Sequence, residues 1–159
     1  MTAGPALEDM IEALGRAAER LRWSVGRVRH AFPLSAGGAA AASPELMNDL
    51  DALLHRYETV VATLQDQVFR AITLAEGEGD KAITNRDRAN LMEKLGAIDS
   101  ADTFFALVVM RNRLSHEYPS DHQRIAARLN DVWSLLPTAL HMAETAIDYT
   151  QRRLKSPQR

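Results

Sequence analysis

Late in the chain the residues Arg111-Asn112-Arg113-Leu114-Ser115-His116-Glu117-Tyr118 place an arginine and a histidine among Asn, Ser and Tyr. This is a metal-free kit for phosphodiester chemistry. To cleave RNA, one group must take the proton of the 2′-hydroxyl, one must stabilise charge on the phosphoryl oxygens, and one must protonate the leaving 5′-oxygen. His116 suits the first or the last role, because an ordinary histidine titrates at about pH 6.5, close to working pH. Arg111 suits the second, with a planar fork that matches phosphate oxygens and a charge that does not titrate. Asn112, Arg113 and Ser115 stand beside them as supporting polar groups.

Spacing limits how the pair can act. Positions 111 and 116 are about 140° apart around an ideal helix, whereas Asn112 and His116 are four apart and share a ridge. Arg111 and His116 therefore do not converge by helix spacing alone. Either the helix loosens at its end, or the two residues meet counterparts from a second, symmetry-related chain. A helix is expected to enter the motif from about Asp99 or Ser100 through the apolar run Phe104-Phe105-Ala106-Leu107-Val108-Val109-Met110. That run is apolar all the way round, so it needs burial on more than one side, in a central position, against another subunit, or both. Pro119 disfavours helical geometry at Tyr118, so the helix should end near Glu117, where its dipole favours a protonated imidazole.

The elements that must hold this helix are themselves helical. No strand-like alternation and no repeat occurs, and a single all-α domain over residues 1–159, an antiparallel bundle of four to five helices, is expected. The first helix runs from about Leu7 to Ala31 on a stripe that includes Leu7, Leu14, Leu21 and Val28. Residues 32–43 are rich in Ala and Gly and read as a flexible connector within the domain. Ser43-Pro44 starts a long helix to about Ala75, ended by Glu76-Gly77-Glu78-Gly79-Asp80. Thr84 and Asp87 have capping-box spacing for a short helix from about Arg86 to Leu95, stopped by Gly96. Ser120 opens the last helix, which should kink or break at Pro137 before ending near Leu154.

Bulk properties narrow the function classes. At 159 residues the chain is large enough to close one core without staples, and without cysteine it has neither a disulfide framework nor a thiolate metal site. The start lacks a signal-peptide pattern, and no apolar run approaches the roughly 20 residues that cross a bilayer, so a cytoplasmic protein without membrane contact is expected. A net charge of −2 argues against non-specific coating of nucleic acid. That average hides a segregation, with five arginines against Glu19 between Arg16 and His30, and eight carboxylates against Arg56 and Arg70 between Glu45 and Asp80. Such asymmetry reads as two solvated helix faces that attract each other, and it also permits a local basic groove.

Rival chemistry finds little support. Asp51 and His55, one turn apart, read as a surface pair. His30, His122 and His141 have no partner at a metal spacing, and neither H-E-x-x-H nor a paired Glu-x-x-His is present, so no metal is expected. Without a Walker loop or G-x-G-x-x-G, Gly77 and Gly79 read as a turn and no cofactor is expected. Trp23 and Trp133 read as core anchors.

The octet resembles the R-x4-H-x-Y signature of the HEPN superfamily, in the form with Asn directly after Arg, and is most similar to the HepT-type toxins of toxin–antitoxin pairs. The firm likeness covers the motif; the layout from about Arg86, a short helix, an acidic turn and an apolar helix entering Arg-Asn, is also similar. The resemblance implies a metal-independent ribonuclease working as a homodimer on RNA, its two motifs facing across a cleft. It assigns Arg111 and His116 to the catalytic pair and Asn112 to the polar residue that supports them. Tyr118 matches the tyrosine on which a partner minimal nucleotidyltransferase, the antitoxin, places a nucleotide to silence the toxin.

Other readings of the same residues remain. A helix end could use Arg111 and His116 on its last carbonyls while Tyr118 packs inside. A non-catalytic HEPN subunit could dock a nucleotidyltransferase or present RNA or nucleotide to it. A phosphotransfer bundle would need a mid-helix histidine beside a lysine, and His116 instead sits beside Glu117 at a helix end.

Overall fold

The computed structural model describes residues 4–78, 83–117 and 119–156. The regular structure among them is helical throughout, with no strand. Helix α1, Gly4–Val28, buries Leu7, Leu14, Leu21 and Val28, one residue every two turns, and closes with a 3₁₀ turn at Arg29–Ala31. Residues 32–43, read from composition as a flexible connector, carry a short helix, α2 (Ala36–Ala40), capped by Ser35. Two contacts tie this segment to the last helix. Phe32 stacks on Trp133 with ring centres 4.1 Å apart, and the Asn130 amide exchanges hydrogen bonds with both backbone groups of Leu34.

Ser43 accepts a hydrogen bond from the Leu46 backbone N–H and Pro44 occupies the first turn, so α3 (Pro44–Ala62) starts where the sequence places it. The expected single long helix is not uniform. It widens into a π turn at Thr63–Val68 before continuing as α4, Phe69–Ala75. Val60, Val61, Thr63, Leu64 and Gln65 are all buried, more of the circumference than one amphipathic face supplies. A wider turn lets these side chains reach neighbours on several sides.

Helix α5, Asn85–Leu95, has the expected capping box, in which Thr84 and Asp87 each accept from the other's backbone N–H. The Thr84 hydroxyl, which donates to Asp87 Oδ2 at 2.7 Å, and after it the Thr84 backbone N–H hold the Asp87 carboxyl below its ordinary pKa. Gly96 ends the helix at φ 82°, a left-handed conformation that favours glycine. Helix α6, Ala101–His116, is capped by Ser100 and buries Ala101, Phe104, Leu107, Met110 and Leu114. Asp121 rather than Ser120 caps α7, His122–Lys155. Of the kink or break expected at Pro137, the break does not occur: the helix continues through it, although proline removes one ladder bond, because Val132, Leu136, Ala139 and Met142 bury the same face on both sides.

Helix α1 packs on α3 and α7, while α6 packs against α3, α5 and α7. The motif helix and α1 thus both pack on α3. The short α2 and the π turn give more helical pieces than the four or five expected. Among the described residues no helix is long and apolar enough to cross a membrane.

Candidate active site

Helix α6 stays regular through the motif. His116 is its last residue, and Glu117 turns to extended backbone at φ −108° and ψ 124°. The loosening that could have let Arg111 and His116 converge within one chain is absent, and the two side chains leave the helix on different faces. His116 and Asn112 are exposed on one ridge, and among the described residues neither side chain has a hydrogen-bond partner. Val109, one turn before Asn112, is 59% exposed on the same side.

Arg111 turns inward toward the π turn. Its side chain is 22% exposed, with Nη1 3.9 Å from Asp66 Oδ2. Gln65 Nε2 donates to the other oxygen of that carboxylate at 3.3 Å. Beneath them the buried Tyr57 hydroxyl donates to the Leu107 carbonyl at 2.7 Å, pinning α3 to α6 beside the guanidinium. Burial pushes the Tyr57 phenol well above its ordinary pKa, against the opposing pull of Arg111, so it remains a neutral donor. The Asp66 pair is long and open to water, the kind worth at most about 1 kcal/mol. A phosphate that offers bidentate hydrogen bonds can displace it.

The supporting residues divide. Ser115 Oγ donates back to the Arg111 carbonyl at 3.2 Å. Arg113 lies between Glu117 at 3.5 Å and Asp131 at 3.7 Å, so its charge is answered locally. Tyr118 falls outside the described residues. All-round burial of the apolar run does not hold within this chain: Phe104, Leu107 and Met110 are buried, Phe105 and Val108 partly so, and Ala106 and Val109 face outward. An Arg86 guanidinium covers part of Phe105, 4.5 Å from its ring centre.

One residue of the site escapes sequence reading. Arg128 of α7 donates to the carbonyls of Glu117 and, at 2.9 Å, Leu114. It therefore caps the end of α6 with a fixed positive charge, the task that a helix-end reading would have given to Arg111 and His116. Its Nε is buried without a hydrogen-bond partner among the described residues. Nothing local signals it, since the contact spans 14 positions and depends on the turn between α6 and α7. Arg128 also lines a groove of about 400 Å³ with Arg113, Glu117, Pro119, Arg124 and Asp131.

The remaining candidates separate as well. Asp51 and His55 do not form the expected pair: Asp51 borders an apolar groove with Leu54, Pro119 and Ile125, and His55 borders a different one beside α1. His141 Nε2 instead lies 2.9 Å from Asp99 Oδ2. Trp133 is half-buried on Phe32 as an anchor should be, but Trp23 is 59% exposed. Comparison with protein families, with curated proteins and with solved structures gives no match to the chain.

Proposed function

We propose that this chain is a metal-independent endoribonuclease of the HEPN, HepT-like kind, a helical bundle that acts as a homodimer and is silenced by nucleotidylation of Tyr118 by a partner nucleotidyltransferase. The observation that carries this reading is the division of the motif over a regular α6, with His116 exposed at its end and Arg111 on another face. Two α6 helices related by a twofold axis would bring the His116 of each chain toward the Arg111 of the other. One imidazole would take the proton of the 2′-hydroxyl as its oxygen attacks phosphorus. The P–O5′ bond then breaks to leave a 2′,3′-cyclic phosphate, and the same imidazole, now imidazolium, gives its proton to the departing 5′-oxygen. Arg111 would hold the phosphoryl oxygens as their charge grows.

The outward strip of Val109 and Ala106 beside Asn112 is the surface this dimer would cover. Val109→Glu should leave the fold intact, because the side chain is exposed, yet place two buried charges at the symmetric contact. The expected result in sedimentation is a monomer, with RNA cleavage lost in parallel. A Val109→Glu dimer that still cleaves RNA would remove α6 as the interface.

Tyr118 stands two residues beyond His116, so a nucleotide attached there would bring phosphate charge and bulk to the place meant for RNA. Tyr118→Phe should retain most ribonuclease activity and should gain no nucleotide mass when co-expressed with the partner nucleotidyltransferase. Equal mass gain on both forms, or modified protein that cleaves RNA normally, would exclude Tyr118 as the switch.

A further inference from the structure

A groove of about 410 Å³ runs between α1 and α3, lined by Arg16, Arg20, His55, Arg56, Thr59 and Thr63. Among the described residues no carboxylate lines it. Arg56 is held in place by neutral partners, donating to Ser24 Oγ at 2.7 Å and to the Arg20 carbonyl at 3.4 Å, with Ser24 only 2% exposed. Among the described residues neither Arg20 nor Arg56 pairs with a carboxylate, and Arg16 meets Glu12 only at 3.9 Å. Of the mutual attraction of acidic and basic helix faces expected from sequence, the described residues carry Arg27 with Asp49 at 2.9 Å. On a protein of net charge −2 this leaves a concave strip of three positive charges uncompensated by the helix packed against it.

At one end of the strip stands Trp23. Its ring is 59% exposed, and the guanidinium carbons of Arg27 and Arg56 lie 5.1 and 5.3 Å from its centre. An exposed indole beside arginines offers apolar area that a stacked base could cover. A charged track with an aromatic platform at its edge is the combination that holds a single strand of nucleic acid, phosphates along the arginines and a base on the ring.

We infer that the α1–α3 groove is a single-stranded RNA-binding track, with backbone phosphates on Arg16, Arg20 and Arg56 and a base stacked on Trp23. That the strand is RNA rests on the ribonuclease reading; the groove itself does not. The track meets the π turn at Thr63, whose Asp66 engages Arg111. It would bind a flank of the substrate, not the scissile phosphate.

The test is fluorescence anisotropy of a short labelled single-stranded RNA, titrated with His116→Ala protein so that cleavage does not interfere. Trp23→Ala added to this background should weaken binding about 5- to 100-fold, the loss of one base stack. Arg20→Ala should also weaken binding and lower the slope of log K against log salt by about 0.7, one phosphate contact on a single strand. Trp23→Ala should leave that slope unchanged. Both side chains are exposed, so circular dichroism should show the fold intact. Binding equal to the parent in both variants, or no binding by the parent, would overturn the track. Weakened binding in the variants of a protein that never cleaves RNA would keep the track and remove the ribonuclease reading; wild-type cleavage with binding indifferent to both substitutions would do the reverse.

Discussion

His116→Ala should lower RNA cleavage by about 10²- to 10⁴-fold, the usual loss when a general acid or base is removed. The fold should be untouched, because His116 is exposed and has no hydrogen-bond partner among the described residues. Arg111→Ala should remove most activity as well, through loss of charge stabilisation. Its effect on stability should stay within about 1 kcal/mol, because what it leaves behind is the water-exposed Asp66. Arg111→Lys should recover little, since an ammonium cannot present the bidentate fork. Wild-type cleavage should proceed in excess chelator. These rates, measured beside thermal melts of each variant, separate a chemical defect from a folding one. Wild-type turnover by His116→Ala, or cleavage that needs a divalent ion, would refute the mechanism.

Phe104→Ala should cost about 3–5 kcal/mol of folding stability, read as a lower denaturation midpoint at unchanged slope. The ring is fully buried and meets Phe69 with centres 4.8 Å apart, so it joins the motif helix to the segment just after the π turn. Removing it opens a cavity on the face that fixes α6, and Arg111 and His116 would lose their common support. Val109→Ala, five residues on and facing outward, should change unfolding of the isolated chain by no more than about 0.5 kcal/mol. A Phe104→Ala midpoint indistinguishable from wild type would mean that α6 is not anchored through this contact.

Local signals made much of this architecture legible. Ser43, Thr84 and Ser100 announce helix starts by side-chain hydrogen bonds that act within three residues, Gly96 announces an end by its left-handed backbone, and the structure places all four at those ends. Failures came where the decisive partner is distant in sequence. The Ala/Gly stretch 32–43 looks featureless until Asn130 and Trp133 arrive from α7. Pro137 looks like a break until the buried face on either side of it is known. The π turn needs the knowledge that Thr63, Leu64 and Gln65 meet neighbours on several sides at once. At the site, helical geometry alone separated Arg111 from His116. It could not reveal Asp66 and Tyr57 behind Arg111, or Arg128 over the end of α6. Trp23 was misplaced for a related reason: a tryptophan is usually buried, and only the packing of α1 on α3 shows that this one faces water.

A site assembled from two chains is tested most directly by mixing two inactive proteins. If Arg111 of one chain works with His116 of the other, a heterodimer of Arg111→Ala and His116→Ala subunits carries one site with both residues intact and one with neither. Random subunit exchange makes half the dimers heterodimers, so the mixture should regain roughly a quarter of wild-type RNA cleavage. A mixture that exchanges subunits yet stays as inactive as its parents would contradict the shared site.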